Sequence, residues 1–225
     1  MRTDAYVTSA TINELCAAWI RDIRASVAPR PHLELDPSRS ALLVIDMLRY
    51  FSHPAGRSFL PATTAIIPRI QSLVEAWRRL RRPVVFTRHA HRGKEDLGML
   101  GRFFSDYIRL GEPDSELIEE LSPIEGEAVL RKTTYDAFLG TELESQLRSH
   151  RVEQVVITGV LTHMCCETTA RSAFCRGFEV YLPIDALASS SLNRHLGSLF
   201  SLADAVGVIM TTAEVLDRCP KTSLS

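Results

Sequence analysis

The sequence has no excess of charge of either sign: 26 Lys and Arg face 27 Asp and Glu, a net charge of −1. A nucleic-acid partner usually demands a basic excess or stripe, so that class is disfavoured. Long apolar runs are missing too. The opening MRTDAYVTSATINELC has no cationic start leading into an apolar stretch, and no segment reaches bilayer-crossing length. A membrane role is not expected. Cysteine is sparse, with five residues at irregular spacing, and Cys165 and Cys166 are adjacent, where a mutual disulfide would be badly strained. Reduced thiols in a cytoplasmic protein are the expectation. No internal repeat or low-complexity tract is seen, and neither Gly-x-Gly-x-x-Gly nor a P-loop follows the first apolar run. A nucleotide-binding Rossmann protein is thereby disfavoured.

What is present is ordinary globular composition, 45% hydrophobic and 24% charged over 225 residues. Ile12, Leu15, Cys16, Trp19, Ile20 and Ile23 form one stripe of an amphipathic helix, with Thr11 as its expected N-cap. Three prolines between Pro29 and Pro37 then break the helix. Residues 1–38 read as a helical arm and linker, packing on the main body, residues 39–225, or on a second subunit.

From residue 41 short apolar runs alternate with helical patterns. The runs are ALLVI (41–45), VVFT (84–87), AVLR (128–131), QVVITGV (154–160), EVYLPI (179–184) and GVIMT (207–211). Helical patterns cover roughly 66–80, 141–150, 165–176 and 193–205. Continuous rather than alternating apolar runs predict strands covered on both faces, hence an α/β protein with a parallel sheet between helix layers. The long stretch 89–126 predicts a loop over a pocket, with a short helical piece around 115–121.

Ligands of such sheets bind beyond the carboxyl ends of the strands. Asp46, His89, Lys132, the turn Thr162 to Cys165, and Asp185 all stand there. Each alone has a bland reading: a cap, a surface lysine, a small buried thiol. Together a carboxylate, an ammonium and a thiol on three strand ends form an acid-base group, a cation and a nucleophile. A helix N-terminus is expected to lower the Cys165 pKa and favour its thiolate.

The stretch KTTYDAFLGTELESQLRSHRVEQVVITGVLTHMCCETTARSAFCRGFEVYLPIDA resembles the isochorismatase-like superfamily of cysteine hydrolases, relatives of isochorismatases, nicotinamidases and N-carbamoylsarcosine amidohydrolases. It carries the Lys, Tyr-x-Ala-Phe, Gly-Val-x-Thr-x-x-Cys and Thr-Ala-x-x-Ala pattern, and DMLRYF at 46–51 resembles the family's first motif. The resemblance implies a three-layer α/β/α sandwich with a six-stranded parallel sheet, and a triad falling on Asp46, Lys132 and Cys165. It also implies a non-proline cis peptide before Leu161 and an oxyanion hole from the backbone amides of Leu161 and Cys165. A homo-oligomer is expected by analogy, with the N-terminal stripe as a candidate interface.

Isochorismatases proper resemble this chain around Thr162, His163 and Met164, but carry Gly at the Cys165 position and cleave a vinyl ether without a covalent step. Because acyl transfer uses a thiol and vinyl-ether protonation does not, an amide, ureide or carbamoyl substrate is favoured. A vinyl-ether hydrolase or a noncatalytic small-molecule-binding member is the alternative. Nicotinamidases in the superfamily hold a metal through Asp-x-His; here His89 replaces that Asp before His91, so no metal and no other cofactor is expected. Phe51, His89, Tyr135 and His163 are candidate substrate contacts, and Phe103 and Phe104 candidate covers. Arg88, Arg92 and Arg102, if they face the cleft, would favour an anionic substrate. Asp185 reads as structural, and Cys16, Cys166, Cys175 and Cys219 as packing.

Overall fold

The computed structural model describes residues 3–220. A helix α1 (Ile12–Ala25) leads into β1 (Ser40–Ile45), the one-turn helix α2 (Arg49–Ser52) and α3 (Thr63–Arg79). Next come β2 (Val84–His89), the one-turn helix α4 (Leu100–Phe103), β3 (Ala128–Lys132) and α5 (Leu143–Ser149). The chain continues through β4 (Gln154–Val160), α6 (Glu167–Cys175), β5 (Glu179–Pro183), the two-residue β6 (Leu187–Ala188), α7 (Leu192–Ala205), β7 (Gly207–Met210) and α8 (Thr212–Asp217).

All strand pairs are parallel, in the order β3-β2-β1-β4-β5-β7, with β6 added alongside the end of β4. The six expected strands are all present, and β6 makes a seventh. The two central strands, SALLVI and QVVITGV, are buried at every position, which explains their unbroken apolar runs. AVLR departs from that reading: β3 lies at the sheet edge and is half-exposed along most of its length. Within the expected helix 165–176, the stretch Thr162–Cys166 forms a wide turn and the α-helix begins only at Glu167. The 115–121 piece resolves into two single 3₁₀ turns, Pro113–Ser115 and Glu119–Leu121.

Strand order reverses between β1 and β4. With right-handed crossovers, the β1-to-β2 helix α3 lies on one face and α6 and α7 on the other. This reversal opens a crevice at the carboxyl ends of the two central strands. They approach closely there: Gly159 has φ of 104°, and a Cβ on it would strike the Ile45 carbonyl oxygen. Glycine is therefore required beside the crevice.

The arm packs on its own domain. Ile12, Cys16, Ile20 and Ile23 are buried in the main core, with Leu15 and Trp19 half-buried against it. The stripe is thus covered within one chain and is not free to serve as a subunit interface. Thr11 precedes α1 but does not cap it through its side chain; its Oγ1 instead accepts from the Thr8 amide at 3.1 Å. Among the described residues no helix is long and apolar enough to cross a membrane.

Candidate active site

Each strand end delivers one group. Asp46 follows β1 with φ of 48°, a left-handed backbone uncommon outside glycine, Asn and Asp. Its side chain is fully buried. Oδ1 accepts from Thr87 Oγ1 at 2.7 Å and from the His89 amide at 3.1 Å, while Thr87 Oγ1 accepts from the Asp46 amide at 3.0 Å. Thr87 through its hydroxyl and His89 through its backbone amide hold the carboxylate from β2. Oδ2 lies 2.7 Å from Lys132 Nζ.

Lys132 closes β3 and is likewise buried. Its ammonium reaches Cys165 Sγ at 3.2 Å, His89 Nδ1 at 3.2 Å and the Thr134 carbonyl at 2.9 Å, besides Asp46. Burial alone would discharge both partners, but each charge offsets the cost of the other. Burial pushes the Asp46 pKa up, yet Lys132, together with His89 and the Thr87 hydrogen bond, outweighs it and holds the carboxyl below its ordinary range. Burial pushes Lys132 down, yet Asp46 and Cys165 outweigh it and raise the ammonium above its ordinary value.

Cys165 is different. Burial, with Asp46 adding to it, pushes its thiol up to about 12 despite the nearby ammonium. The expected resting thiolate is therefore corrected. The buried Asp46–Lys132 pair is already neutral, so a thiolate would add an uncompensated charge. The resting site is carboxylate, ammonium and thiol. Cys166 is buried too, but its Sγ lies 4.0 Å from the Thr158 carbonyl, within the packed interior. The peptide between Val160 and Leu161 is cis.

In front of Cys165 opens a cavity of about 220 Å³. Aromatic rings dominate its wall: Tyr50, Phe51, Phe104, Tyr107 and Tyr135, with His89, His91, Leu161 and Met164. The loop 89–126 supplies Leu100 and the run Phe104 to Ile108. Of the four candidate substrate contacts, Phe51, His89 and Tyr135 line this cavity. His163 does not line the cavity; its Nδ1 is 2.6 Å from Ser189 Oγ. Phe103 is exposed and off the wall. Arg88, Arg92 and Arg102 do not line it, and Arg88 pairs with Glu116 at 2.9 Å. The condition for an anionic substrate is not met. Asp185 accepts from the Thr212 amide at 2.6 Å and pins the start of α8. The sequence reading missed Tyr50, Tyr107, Met164 and the carboxylate holder Thr87. Only Thr87 carried a signal, its two-residue spacing from His89 on a strand.

The donor set does not fit a metal. Asp46, His89 and Cys165 offer ligand atoms within 4.8 Å of one another, but Lys132 Nζ already contacts all three. A cation seated there would have to displace the ammonium. His89 and His91 face each other through Nε2 at 3.1 Å, while His91 Nδ1 is 3.1 Å from the Asp96 carbonyl oxygen. They offer two nitrogens, with the nearest carboxylate on the far side of His91.

Known proteins share this arrangement of chain. A chain named nicotinamidase 3 from Arabidopsis thaliana is 40% identical over 167 residues, covering 73% of this chain and 80% of its own. Enterobactin synthase component B from Escherichia coli K12 is 32% identical over 182 residues, 80% of this chain; the match spans 64% of that relative's length. A crystal structure described as a cysteine hydrolase from Pseudomonas syringae pv. phaseolicola superposes with a TM-score of 0.82 at 30% identity, covering 85% of this chain and 97% of that one. The family model described as Isochorismatase domain matches residues 40–214, from the first residue of β1 to α8, a span that includes Asp46, His89, Lys132 and Cys165. By sequence and by fold, the chain belongs to the isochorismatase family of hydrolases.

Proposed function

We propose that this protein is a cysteine amidohydrolase that cleaves the C–N bond of a small amide, ureide or carbamoyl substrate through a thioester on Cys165. One observation carries the reading: Cys165 lines an aromatic cavity, and its Sγ is 3.2 Å from an ammonium that itself sits 2.7 Å from a buried carboxylate. The relative named as a nicotinamidase supports an amide over a vinyl ether.

The proton inventory sets the order of events. Asp46 takes the proton from Cys165 as Sγ attacks the carbonyl carbon, and the new S–C bond places a negative charge on the former carbonyl oxygen. The backbone amides of Leu161 and Cys165 donate to that oxyanion. Asp46 then returns the proton to the departing nitrogen, the C–N bond breaks, and an amine or ammonia leaves. Water adds to the thioester, losing a proton to Asp46. Collapse releases the acid, and the thiol regains its proton. Lys132 keeps Asp46 ionised at rest and tempers the thiolate as it forms.

The vinyl-ether alternative fits the wall poorly. Isochorismate is a dianion, whereas among the described residues Asp106 is the one carboxylate lining the cavity, no Arg or Lys lines it, and Arg57 binds that carboxylate at 2.8 Å. An uncharged, flat acyl group suits a wall that carries the rings of Phe51, Tyr107 and Tyr135 better.

Intact-mass analysis of enzyme quenched during turnover, alongside assays for released ammonia or amine over a panel of amides, ureides and carbamoyl compounds, tests the proposal. Expected are an acyl adduct confined to Cys165 and loss of at least ~10⁴-fold activity in Cys165→Ala with the fold intact. Isochorismate turnover without an adduct, or full activity of Cys165→Ala, would overturn it.

A further inference from the structure

The N-terminal arm precedes the residues 40–214 that the family model matches, yet two paths of contact run from it to the turn that carries Cys165. The first passes through His195 on α7. This histidine is buried and its Nδ1 is hydrogen-bonded to Thr162 Oγ1 at 2.9 Å. Its ring is gripped by two arm residues, Tyr6 at 5.7 Å and Trp19 at 6.0 Å between ring centres, the latter edge-on. Tyr6 and Trp19 also meet each other at 6.2 Å. The second path passes through Ser189. Its amide donates to Tyr6 Oη at 3.0 Å, and its Oγ holds His163 Nδ1 at 2.6 Å. The Asp4 amide donates to the next carbonyl, Ser190, at 2.9 Å.

Both paths end on the two residues that open the turn. Its backbone closes on the Leu161 carbonyl, which accepts from the amides of Met164 at 3.0 Å and Cys166 at 3.2 Å. The Thr162 carbonyl accepts from Ser198 Oγ on α7 at 3.2 Å. Burial keeps His195 neutral by lowering its pKa to about 3, so it serves as a fixed hydrogen-bonding strut.

We infer that the arm is a positioning element of the catalytic site: Tyr6 and Trp19 lock His195, and His195 with Ser189 fixes Thr162 and His163 so that Cys165 stays aimed between Lys132 and the cavity. The inference rests on reading Cys165 as the nucleophile. His195, Tyr6 and Trp19 touch neither substrate nor the reacting atoms. Their effect passes through the backbone of the turn, where misplacement of the thiol by about 1 Å is enough to lower the rate strongly.

The test uses the full chain with His195→Phe, which keeps a ring between Tyr6 and Trp19 but removes the bond to Thr162. His195→Asn offers a polar atom near the position of Nδ1, Thr162→Val removes the hydroxyl from the other side, and Tyr6→Phe removes the Ser189 contact alone. Two quantities are read: kcat and KM on an amide substrate, and the rate of Cys165 alkylation by iodoacetamide against pH, followed by peptide mass. The alkylation needs no substrate, so it reports on the turn even if the amide reading fails. Expected for His195→Phe and Thr162→Val is a kcat lowered about tenfold to a hundredfold, KM within about twofold, and a shifted alkylation profile. His195→Asn recovers part of the loss, and Tyr6→Phe shows the same pattern at smaller size. Variants that melt at lower temperature but keep wild-type kcat and alkylation while folded would overturn the inference. Should His195→Phe fail to fold, the same criteria apply to Thr162→Val and Tyr6→Phe.

Discussion

The two halves of the sheet bring different things to the cavity. The half built from β1, β2 and β3 delivers the charge: Asp46 and Lys132 flank His89, which burial and the neighbouring ammonium keep neutral by lowering its pKa to about 3, and Lys132 binds the other two within 3.2 Å. The half built from β4, α6 and α7 brings no charge. It brings a thiol on a wide turn, held by neutral hydrogen bonds from His195, Ser198 and Ser189. Charge is placed here by strand ends and the strands beside them, as Thr87 and the His89 amide on β2 hold the Asp46 carboxylate. Aiming a thiol needs support from outside the strand, and here it comes from a helix and an arm far away in sequence.

That contrast can be broken at the charged half first. Lys132→Met leaves Asp46 buried without its partner, so we expect no measurable hydrolysis and a loss of about 3–5 kcal/mol in denaturant unfolding. Part of that loss is recovered as pH falls and Asp46 protonates; a stable, active Lys132→Met would show that the ion pair is incidental. A core change remote from both halves gives a loss of similar size in stability alone. Leu147→Ala on α5 removes a fully buried side chain and is expected to cost about 2–5 kcal/mol while kcat at low temperature stays at the wild-type value. Loss of kcat there would mean that activity follows global stability rather than the site.

Asp46→Asn sharpens the comparison further. Removing the carboxylate abolishes the proton acceptor, lowering kcat by about 10²–10⁴-fold. The thiol should move the other way: with Asp46 neutralised, thiolate and ammonium form the neutral pair, and Cys165 ionises at lower pH than in the wild type. A dead enzyme with a more reactive thiol is the expected combination. At low pH the ion pair also contributes to acid stability. The Asp46 pKa is held below its unfolded value, so its contribution is present above about pH 4 and is lost as pH falls through the folded value. Wild type should therefore lose more stability than Asp46→Asn between neutrality and the acid transition, the smallest effect of the set.

The sequence made the charged half legible. An apolar run followed at once by Asp46, and others followed by His89 and Lys132, is a local pattern, and parallel-sheet topology carries such residues to one edge. The turn from Thr162 to Cys165, which follows the run QVVITGV, was legible for the same reason. The thiol's protonation state was not, because the expected helix dipole is outweighed by complete burial beside an already neutral ion pair. His163 was misplaced because a residue on a turn next to a nucleophile can face either way, and Ser189, 26 positions later, decides it. The His195 strut carried no signal, since its partners Tyr6, Trp19 and Thr162 are spread over the chain and only packing joins them.

The central claim is a neutral resting site in which a protonated Cys165 waits on Asp46. The most direct test is the pH profile of Cys165 alkylation by iodoacetamide in the wild type and in Asp46→Asn, each labelled site read by peptide mass. The account predicts slow wild-type labelling at neutral pH that climbs only in strong alkali, and a midpoint displaced toward acid in Asp46→Asn. A wild-type midpoint below neutrality, unchanged by the substitution, would contradict it and restore a resting thiolate.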